Sequence, residues 1–386
     1  MRAPPTIKLR SPPRGAAIFR KMVDRNARGV EAGTVVRVID RDGRFVGQAF
    51  WNPKSEIALR ILTRDEEPAI DDAWFEDAAL RAVRLRREVL AIDRVTDACR
   101  IIHAEGDRLP GLIVDLYGDV LSCQVSSLGI YRNFPVIRDA LTKALGTRCV
   151  HVTAEPKLAK IEGFPIPGGA GRDARTRIHE HGLTFDVDCA AGHKTGFFLD
   201  QRDSRLRIRQ LAKGKRVLDL FCYTGGFALN AARGKASQVV AVDLDEAAVA
   251  AGRQNAERNG LGDDVTFVHK DAFEVLRTTT QGAYGLMIVD PAKQAHQRSE
   301  VGRALGYYTD LNRLVFEKAP PDGLVLSCSC TGLVDESAFL EALSRAAHRA
   351  SRHVSFLEVS GAPPDHPVAA DTQEGRYLNV VLCRVA

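Results

Sequence analysis

Three short stretches carry side chains whose types and spacing suit chemistry. Leu326-Ser-Cys328-Ser-Cys330-Thr-Gly332 sets two thiols two positions apart on a strand-like run, so both project to one face. A thiol is most often a small buried hydrophobe, and a lone Cys-x-Cys is a poor metal site, but a thiolate at a strand end can act as a nucleophile. Ile288-Val-Asp290-Pro291-Ala-Lys293 ends another apolar run in an acid followed by a stiff proline, placed to hydrogen-bond or protonate a substrate. Val217-Leu-Asp219-Leu-Phe-Cys-Tyr223-Thr224-Gly225-Gly226 passes from a strand through a turn of small residues into a helix. The two glycines lack a Cβ and let backbone approach a ligand. Val239-Val-Ala-Val-Asp243 then brings a second acid 24 residues after Asp219, the place of a carboxylate that holds ribose hydroxyls.

Two further clusters admit two readings each. Asp271, in Lys270-Asp-Ala-Phe273, either accepts from an adenine amino group or caps a helix. Gly192-His-Lys-Thr-Gly-Phe-Phe-Leu-Asp-Gln201-Arg202 either closes over a bound adenosyl group or is a packing turn.

These residues need a scaffold that gathers strand ends. Residues 186–386 alternate strand and helix, with strands near 217, 239, 265, 286, 324 and 354 and a closing antiparallel pair at 355–359 and 377–383. That rhythm predicts a doubly wound, Rossmann-like α/β sheet, which binds ligands outside the carboxyl ends of its strands. Residues 1–75 predict a small β-barrel, with alternating runs at 34–40, 45–51 and 56–62 and an Asp42-Gly43 hairpin turn. Residues 76–97 form a connector whose amphipathic helix begins near 72 and shows a basic face of Arg81, Arg84, Arg86 and Arg87. Residues 98–185 predict a small central α/β domain: a hairpin over 113–125, a helix from Phe134 to Leu145, a strand over 149–153 and a loop at 168–171.

A net charge of +5 and a pI of about 8.8 mildly favour a polyanionic partner. Within residues 1–30, Arg2, Lys8, Arg10, Arg14, Arg20, Lys21, Arg25 and Arg28 face one acid, Asp24, and either touch phosphate or are solvated. The chain start has no apolar signal core and no run approaches the ~20 apolar residues of a membrane span, so a cytoplasmic protein is expected. Eight scattered cysteines without a Cys-x-x-Cys pair predict free thiols and no zinc. An acid inside the first strand and the lack of Gly-x-Gly-x-x-Gly argue against a nicotinamide cofactor.

Lys194-Thr-Gly-Phe-Phe-Leu-Asp-Gln-Arg202, Leu218-Asp-Leu-Phe-Cys-Tyr-Thr-Gly-Gly-Phe227, Asp290-Pro-Ala-Lys293, Ser329-Cys-Thr-Gly-Leu333, Asp365-His-Pro-Val368 and Glu374-Gly-Arg-Tyr-Leu378 occur in this order. Together they resemble the bacterial family of class I S-adenosylmethionine-dependent 23S ribosomal RNA cytosine-C5 methyltransferases with a PUA domain. Departures are Ala292, where the family has Asp-Pro-Pro, and the run 14–20, which replaces Gly-His-Pro-Trp in the first barrel strand. The resemblance implies an RNA-binding barrel, an RNA-holding central domain and a catalytic domain that uses S-adenosylmethionine. It puts the nucleophile at Cys330, with Asp290 beside it, and the cofactor at Gln201, Asp219, Tyr223, Thr224, Gly225, Asp243, Asp271 and Asp290. The chemistry agrees: C5 of cytosine is too weak a nucleophile until a thiolate adds at C6. The partner implied is RNA, 23S rRNA or a large-subunit intermediate, and a homodimer is compatible with the sequence. Methylation of another base or position, or a PUA-type RNA-binding factor without catalysis, are the alternatives.

Overall fold

The computed structural model describes residues 4–13, 15–24, 29–67, 69–167, 174–190 and 196–386. Arg2, Arg14, Arg25, Arg28, the loop 168–171 and residues 192–195 lie outside the described residues. The chain divides into two units: Met1–His179 with Val187–Leu199 and Pro364–Gly375, and Glu180–Asp186 with Asp200–Pro363 and Arg376–Ala386.

The first unit begins with β1 (Thr6–Lys8), β2 (Ala17–Phe19), β3 (Val35–Ile39), β4 (Phe45–Trp51) and β5 (Ile57–Thr63), ordered β1-β3-β4-β5-β2. The Leu9–Val23 bridge joins the two edge strands, so the sheet closes on Ile7, Ile18, Val36, Val38 and Leu59. At its hairpin turn Asp40 Oδ1 accepts from the Asp42 and Arg44 amides at 2.8 and 2.9 Å, and Gly43 takes a left-handed φ of 84°. One expectation changes: the run 14–20 supplies the second strand, not the first, and Ala17–Phe19 pairs with β5.

The helix α1 (Asp72–Arg84) is capped by Asp71 and buries Phe75, Ala78, Ala79, Ala82 and Val83. It then widens into a π turn over Leu85–Val89. The extra residue of that turn rotates Arg86 inward, so the expected basic face is broken there. Arg86 is fully buried on Asp107, whereas Arg81 and Arg84 pair with Asp77 at the surface. The central sheet runs β6-β7-β8-β9, from β6 (Ala98–His103), β7 (Leu112–Tyr117), β8 (Val120–Val125) and β9 (Cys149–Thr153). Its helix α2 (Leu128–Leu145) starts at Leu128 rather than Phe134, because Ser127 caps it and Pro135 is accommodated inside. A short α3 (Pro156–Glu162) and a two-stranded ribbon, β10 (Arg175–Glu180) and β11 (Leu183–Asp188), follow.

The second unit strings α4 (Arg202–Leu211), β12 (Arg216–Leu220), α5 (Gly226–Arg233), β13 (Gln238–Asp243), α6 (Glu246–Arg258), β14 (Val265–His269), α7 (Ala272–Thr278), β15 (Leu286–Val289), α8 (Val301–Lys318), β16 (Gly323–Ser329), α9 (Glu336–Arg349), β17 (Val354–Ser360) and β18 (Asn379–Val385). Its sheet is ordered β14-β13-β12-β15-β16-β18-β17. The five strands β12 to β16 are parallel, and β18 lies antiparallel between β16 and β17. The apolar runs that read as buried strands are so: Val217, Leu218, Leu220, Leu286, Ile288 and Val289 are all 0% exposed. The expected α/β architecture with a small barrel ahead of it is borne out. Among the described residues no helix is long and apolar enough to cross a membrane.

Candidate active site

The order of the parallel strands turns at β12, which has β13 on one side and β15 on the other. At such a point the connections leave in opposite directions and open a crevice above the strand ends. Asp219 lies within β12, 0% exposed, and neither of its carboxylate oxygens has a hydrogen-bond partner among the described residues. Burial, and next the charge of Asp290, push its pKa well above the carboxylate range, with Asp243 adding to the shift. The Ala228 amide, in the first turn of α5, pulls the other way without reaching hydrogen-bond geometry.

The turn after β12 is held open by three left-handed residues, Phe221 (φ 66°), Tyr223 (φ 48°) and Gly225 (φ 85°). Two of these carry side chains, a strain that is tolerated where surrounding structure enforces it. The glycines have a reason within the protein itself. A Cβ on Gly225 would meet Phe267 Cζ at 2.9 Å, and one on Gly226 would meet Arg205 Cδ at 3.0 Å. The close approach at both is made by protein. Arg205 is itself buried and pinned by Glu180, its Nε and Nη2 donating at 2.7 and 2.6 Å. Asn255 on α6, which the sequence reading missed, donates to the Thr224 carbonyl at 3.1 Å and accepts from the Asp186 amide at 3.0 Å. An asparagine on the buried face of an amphipathic helix was the available signal.

Asp243 ends β13 where expected. Its Oδ2 accepts from the Tyr223 amide at 2.7 Å and its Oδ1 from the Asp245 amide at 2.9 Å. A carboxylate has about four acceptor positions, so each oxygen can still take a hydroxyl. Asp271 is the N-cap of α7, with Oδ1 accepting from Phe273 and Glu274 amides at 2.9 and 3.1 Å. The cap uses one oxygen only, so Oδ2 is left for a second donor and the two readings of this residue are compatible.

The tips of β15 and β16 form the other wall. The Cys330 thiol reaches the Pro291 carbonyl at 3.9 Å, and the Gln294 amide donates to Thr331 Oγ1 at 3.0 Å. The buried Tyr308 hydroxyl bonds Thr331 Oγ1 at 2.8 Å and completes this tie between the two loops. Tyr308 and Gln294 were missed, since a tyrosine at helical spacing reads as core. The two thiols differ sharply. Cys328 is 0% exposed, and burial, then the Asp290 charge, push its pKa well above the usual thiol value. Cys330, just past the strand end, is half-buried. Gln201 Nε2 donates to Asp290 Oδ2 at 3.1 Å, and Tyr377 donates to Asp200 Oδ2 at 2.6 Å. Of the aromatic pair before Gln201, Phe197 is a packing residue: it is buried in the first unit, where its carbonyl accepts from the Tyr117 hydroxyl at 2.8 Å.

The crevice therefore gathers Asp219, Asp243, Asp290, Gln201, Cys330 and the turn 221–225 in one unit, with Asp271 at the next strand end. The buried Asp219, its pKa raised by burial and by the charges of Asp290 and Asp243, favours a cationic ligand, which would relieve it. S-adenosylmethionine fits: it carries a sulfonium and an ammonium for the unpartnered Asp219, ribose hydroxyls for Asp243 and an adenine amine for Asp271. Among the described residues no group of three His, Cys, Asp or Glu is placed to hold a metal.

Known proteins identify the family. Residues 170–382 match the family described as S-adenosylmethionine-dependent methyltransferase, and residues 15–64 match a PUA-like domain. The chain is 36% identical over 376 residues to ribosomal RNA large subunit methyltransferase I of Photobacterium profundum, covering 95% of this chain and 94% of that one. It is 36% identical over 366 residues to the protein of the same name from Shewanella denitrificans, covering 92% and 91%. A solved structure from Streptococcus mutans, described as a SAM-dependent methyltransferase, superposes with a TM-score of 0.81 at 21% identity over 98% of this chain and all of that one. A methyltransferase structure complexed with SAH also gives 0.81, at 20% identity over 99% and 100%. At that identity the two structures speak for the fold.

Proposed function

This chain belongs to the family of S-adenosylmethionine-dependent methyltransferases that carry a PUA-like domain, and from that premise we propose that it methylates C5 of a cytosine in RNA, with 23S ribosomal RNA as the substrate. The names of its relatives support ribosomal RNA as the target. The observation that carries the cytosine-C5 reading is the contrast between the thiols: Cys330 is accessible at the Asp290-Pro291 tip, while Cys328 is sealed in the strand.

S-adenosylmethionine supplies the electrophilic methyl group. The Cys330 thiolate adds to C6 of a base flipped from its stack and breaks the 5,6 double bond. Asp290 gives a proton to N3, so the electron pair remains available at C5, which would take the methyl carbon as the methyl–sulfur bond breaks and S-adenosylhomocysteine leaves. Loss of the C5 proton to a base then expels the thiolate and restores the 5,6 double bond, and return of the N3 proton to Asp290 leaves the neutral 5-methylcytosine. The sealed Cys328 stays protonated and takes no part.

In the same reading Asp243 holds the ribose hydroxyls, Asp271 the adenine amine and Asp219 the methionyl ammonium, with Tyr223, Thr224 and Gly225 lining the turn. The division into a barrel over 1–75, a connector over 76–97, a central domain over 98–185 and a catalytic domain over 186–386 belongs to it as well.

The test is covalent capture. RNA bearing 5-fluorocytosine cannot lose a proton from C5, so the wild type should form a stable adduct. Cys330→Ala should abolish both adduct and methylation yet still bind cofactor, and Cys328→Ala should keep substantial activity. An adduct that survives Cys330→Ala overturns the assignment, and turnover unaffected by either substitution means another atom is methylated. Mass-spectrometric mapping of ribosomal RNA from a deletion strain, with and without complementation, identifies the nucleotide.

A further inference from the structure

The sheet stops just short of the chemistry. The β15–β16 ladder ends on the pair Val289 with Ser327, one residue before Asp290. The β16–β18 ladder ends on Ser329 with Asn379, one residue before Cys330. Beyond it the chain is gripped at Thr331. This residue is buried, and its Oγ1 accepts from the Gln294 amide, in the loop after β15, at 3.0 Å. The same oxygen bonds the Tyr308 hydroxyl of α8 at 2.8 Å, with either hydroxyl able to donate. The Thr331 carbonyl accepts from the Val334 amide at 2.8 Å, which closes the turn. Tyr308 is a firm post for this grip. Its ring meets Tyr307 and Phe339 edge-on, with centroids 6.0 and 5.3 Å apart, and its carbonyl accepts from Asn312 Nδ2 at 2.9 Å. Burial pushes its pKa up to about 12, so the hydroxyl keeps its proton across the neutral range. A phenylalanine would fill the same space, so what the hydroxyl adds is the bond.

We propose that Tyr308 and Thr331 are positioning residues for the nucleophile: their bond clips the loop that carries Cys330 to α8 and, through the Gln294 amide, to the loop that begins at Asp290-Pro291. This inference rests on the reading of Cys330 as the thiol that adds to C6. That reaction needs two protein groups on one base, the thiol at C6 and the acid at N3, which lie across the ring from each other. The spacing of the two loops must therefore match the width of the ring. The ladder sets that spacing as far as Val289 and Ser327, and the Thr331 oxygen carries it on to the reacting residues. A displacement of about 1 Å there can cost about a hundred-fold in rate.

The test uses the full chain, saturating S-adenosylmethionine and saturating 5-fluorocytosine RNA. Thr331→Val keeps the shape and removes the oxygen, so adduct formation should slow by about ten- to a hundred-fold. Thr331→Ser restores the oxygen and should recover the rate to within about three-fold of wild type. Tyr308→Phe leaves the Gln294 bond in place and should slow the step by about three- to ten-fold. In the Thr331→Val background the same change should cost less than about two-fold, because a tyrosine that acts through Thr331 has nothing left to hold. Affinity for cofactor and RNA should stay within about two-fold of wild type throughout, which places the loss in the saturated rate. A merely structural bond would lower the melting temperature and leave the rate per folded molecule unchanged. A wild-type saturated rate in Thr331→Val, a Thr331→Ser enzyme as slow as Thr331→Val, or a Tyr308→Phe cost undiminished in the double variant overturns the inference. Should Thr331→Val not fold, Tyr308→Phe decides, and a wild-type rate there overturns it too. Failure of the wild type to form any adduct would instead overturn the reading of Cys330.

Discussion

Two deeply buried carboxylates, one in each unit, are treated in opposite ways, although the second unit also holds the satisfied pair Arg205–Glu180. In the first, the buried ions Asp115 and Arg86 meet matched partners. Asp115 is 0% exposed and receives Arg100 through Nε and Nη2 at 2.7 and 3.0 Å. Arg86, also 0% exposed, donates to Asp107 Oδ2 at 2.8 Å and to the carbonyl oxygens of Arg100 and Asp365 at 2.8 and 2.7 Å. His103 beside them is held neutral, its pKa lowered to about 3 by burial and then by the Arg100 charge. In the second unit Asp219 is as deeply buried and has no hydrogen-bond partner among the described residues. Burial of a charge is thus a poor marker of function, and a missing counter-charge is a better one. A satisfied buried pair holds architecture together; an unsatisfied one costs stability and persists where a ligand completes it.

The strongest way to break this comparison is to remove a partner from the satisfied side. Arg100→Met strands Asp115 in the core and should destabilise the first unit by about 3–5 kcal/mol. Scanning calorimetry of the full chain should show an early transition. Where the protein remains folded, cofactor affinity should match wild type, since neither residue belongs to the crevice. A loss below about 1 kcal/mol would mean that the network contributes little and the contrast is one of appearance.

A middle-sized effect is expected at the rim of the unsatisfied side. Asp243→Ala removes the acceptor for two ribose hydroxyls, bonds worth roughly 1.5–3 kcal/mol in total, so cofactor affinity should fall by about ten- to a hundred-fold. Titration calorimetry on the folded variant measures it directly. Unchanged affinity would take Asp243 out of the site and leave it as the acid that shapes the turn through the Tyr223 and Asp245 amides.

Much of this site was legible in the sequence because sheet topology places strand ends together whatever the side chains do. Asp243, Asp290 and Cys330 fall at the tips of β13, β15 and β16, or just past them, and the β12-turn-α5 run sits where its acid and glycines put it. What could not be read depends on contacts between elements remote in sequence. The reason for Gly225 is the ring of Phe267, and the reason for Gly226 is Arg205. The π turn at Leu85–Val89 is invisible to a helical period and moved Arg86 from a presumed surface to the core. Gln201 sits in a quoted motif, yet only its bond to Asp290, 89 positions away, shows what it touches.

The subtlest effect sharpens the comparison at Asp219 itself. Its pKa is raised in the folded protein by burial and by the Asp290 charge, so the folded state holds its proton to higher pH than the unfolded chain does. Above the ordinary carboxylate pKa, about 3.9, the unfolded chain releases that proton first. Stability therefore falls as pH rises from there towards the folded pKa, and the full penalty is present above it. Asp219→Asn keeps the shape and removes the titration. The cofactor-free variant should accordingly melt higher than wild type at neutral pH, and the gap should close near pH 4. S-adenosylmethionine should reverse the order: its ammonium gives the carboxylate the counter-charge it lacks, so added cofactor should raise the wild-type melting temperature more than the variant's. A pair of melting curves at each pH, with and without cofactor, decides it. If the variant gains no stability at neutral pH, Asp219 is compensated in the folded protein. If the cofactor shifts both proteins equally, it binds elsewhere.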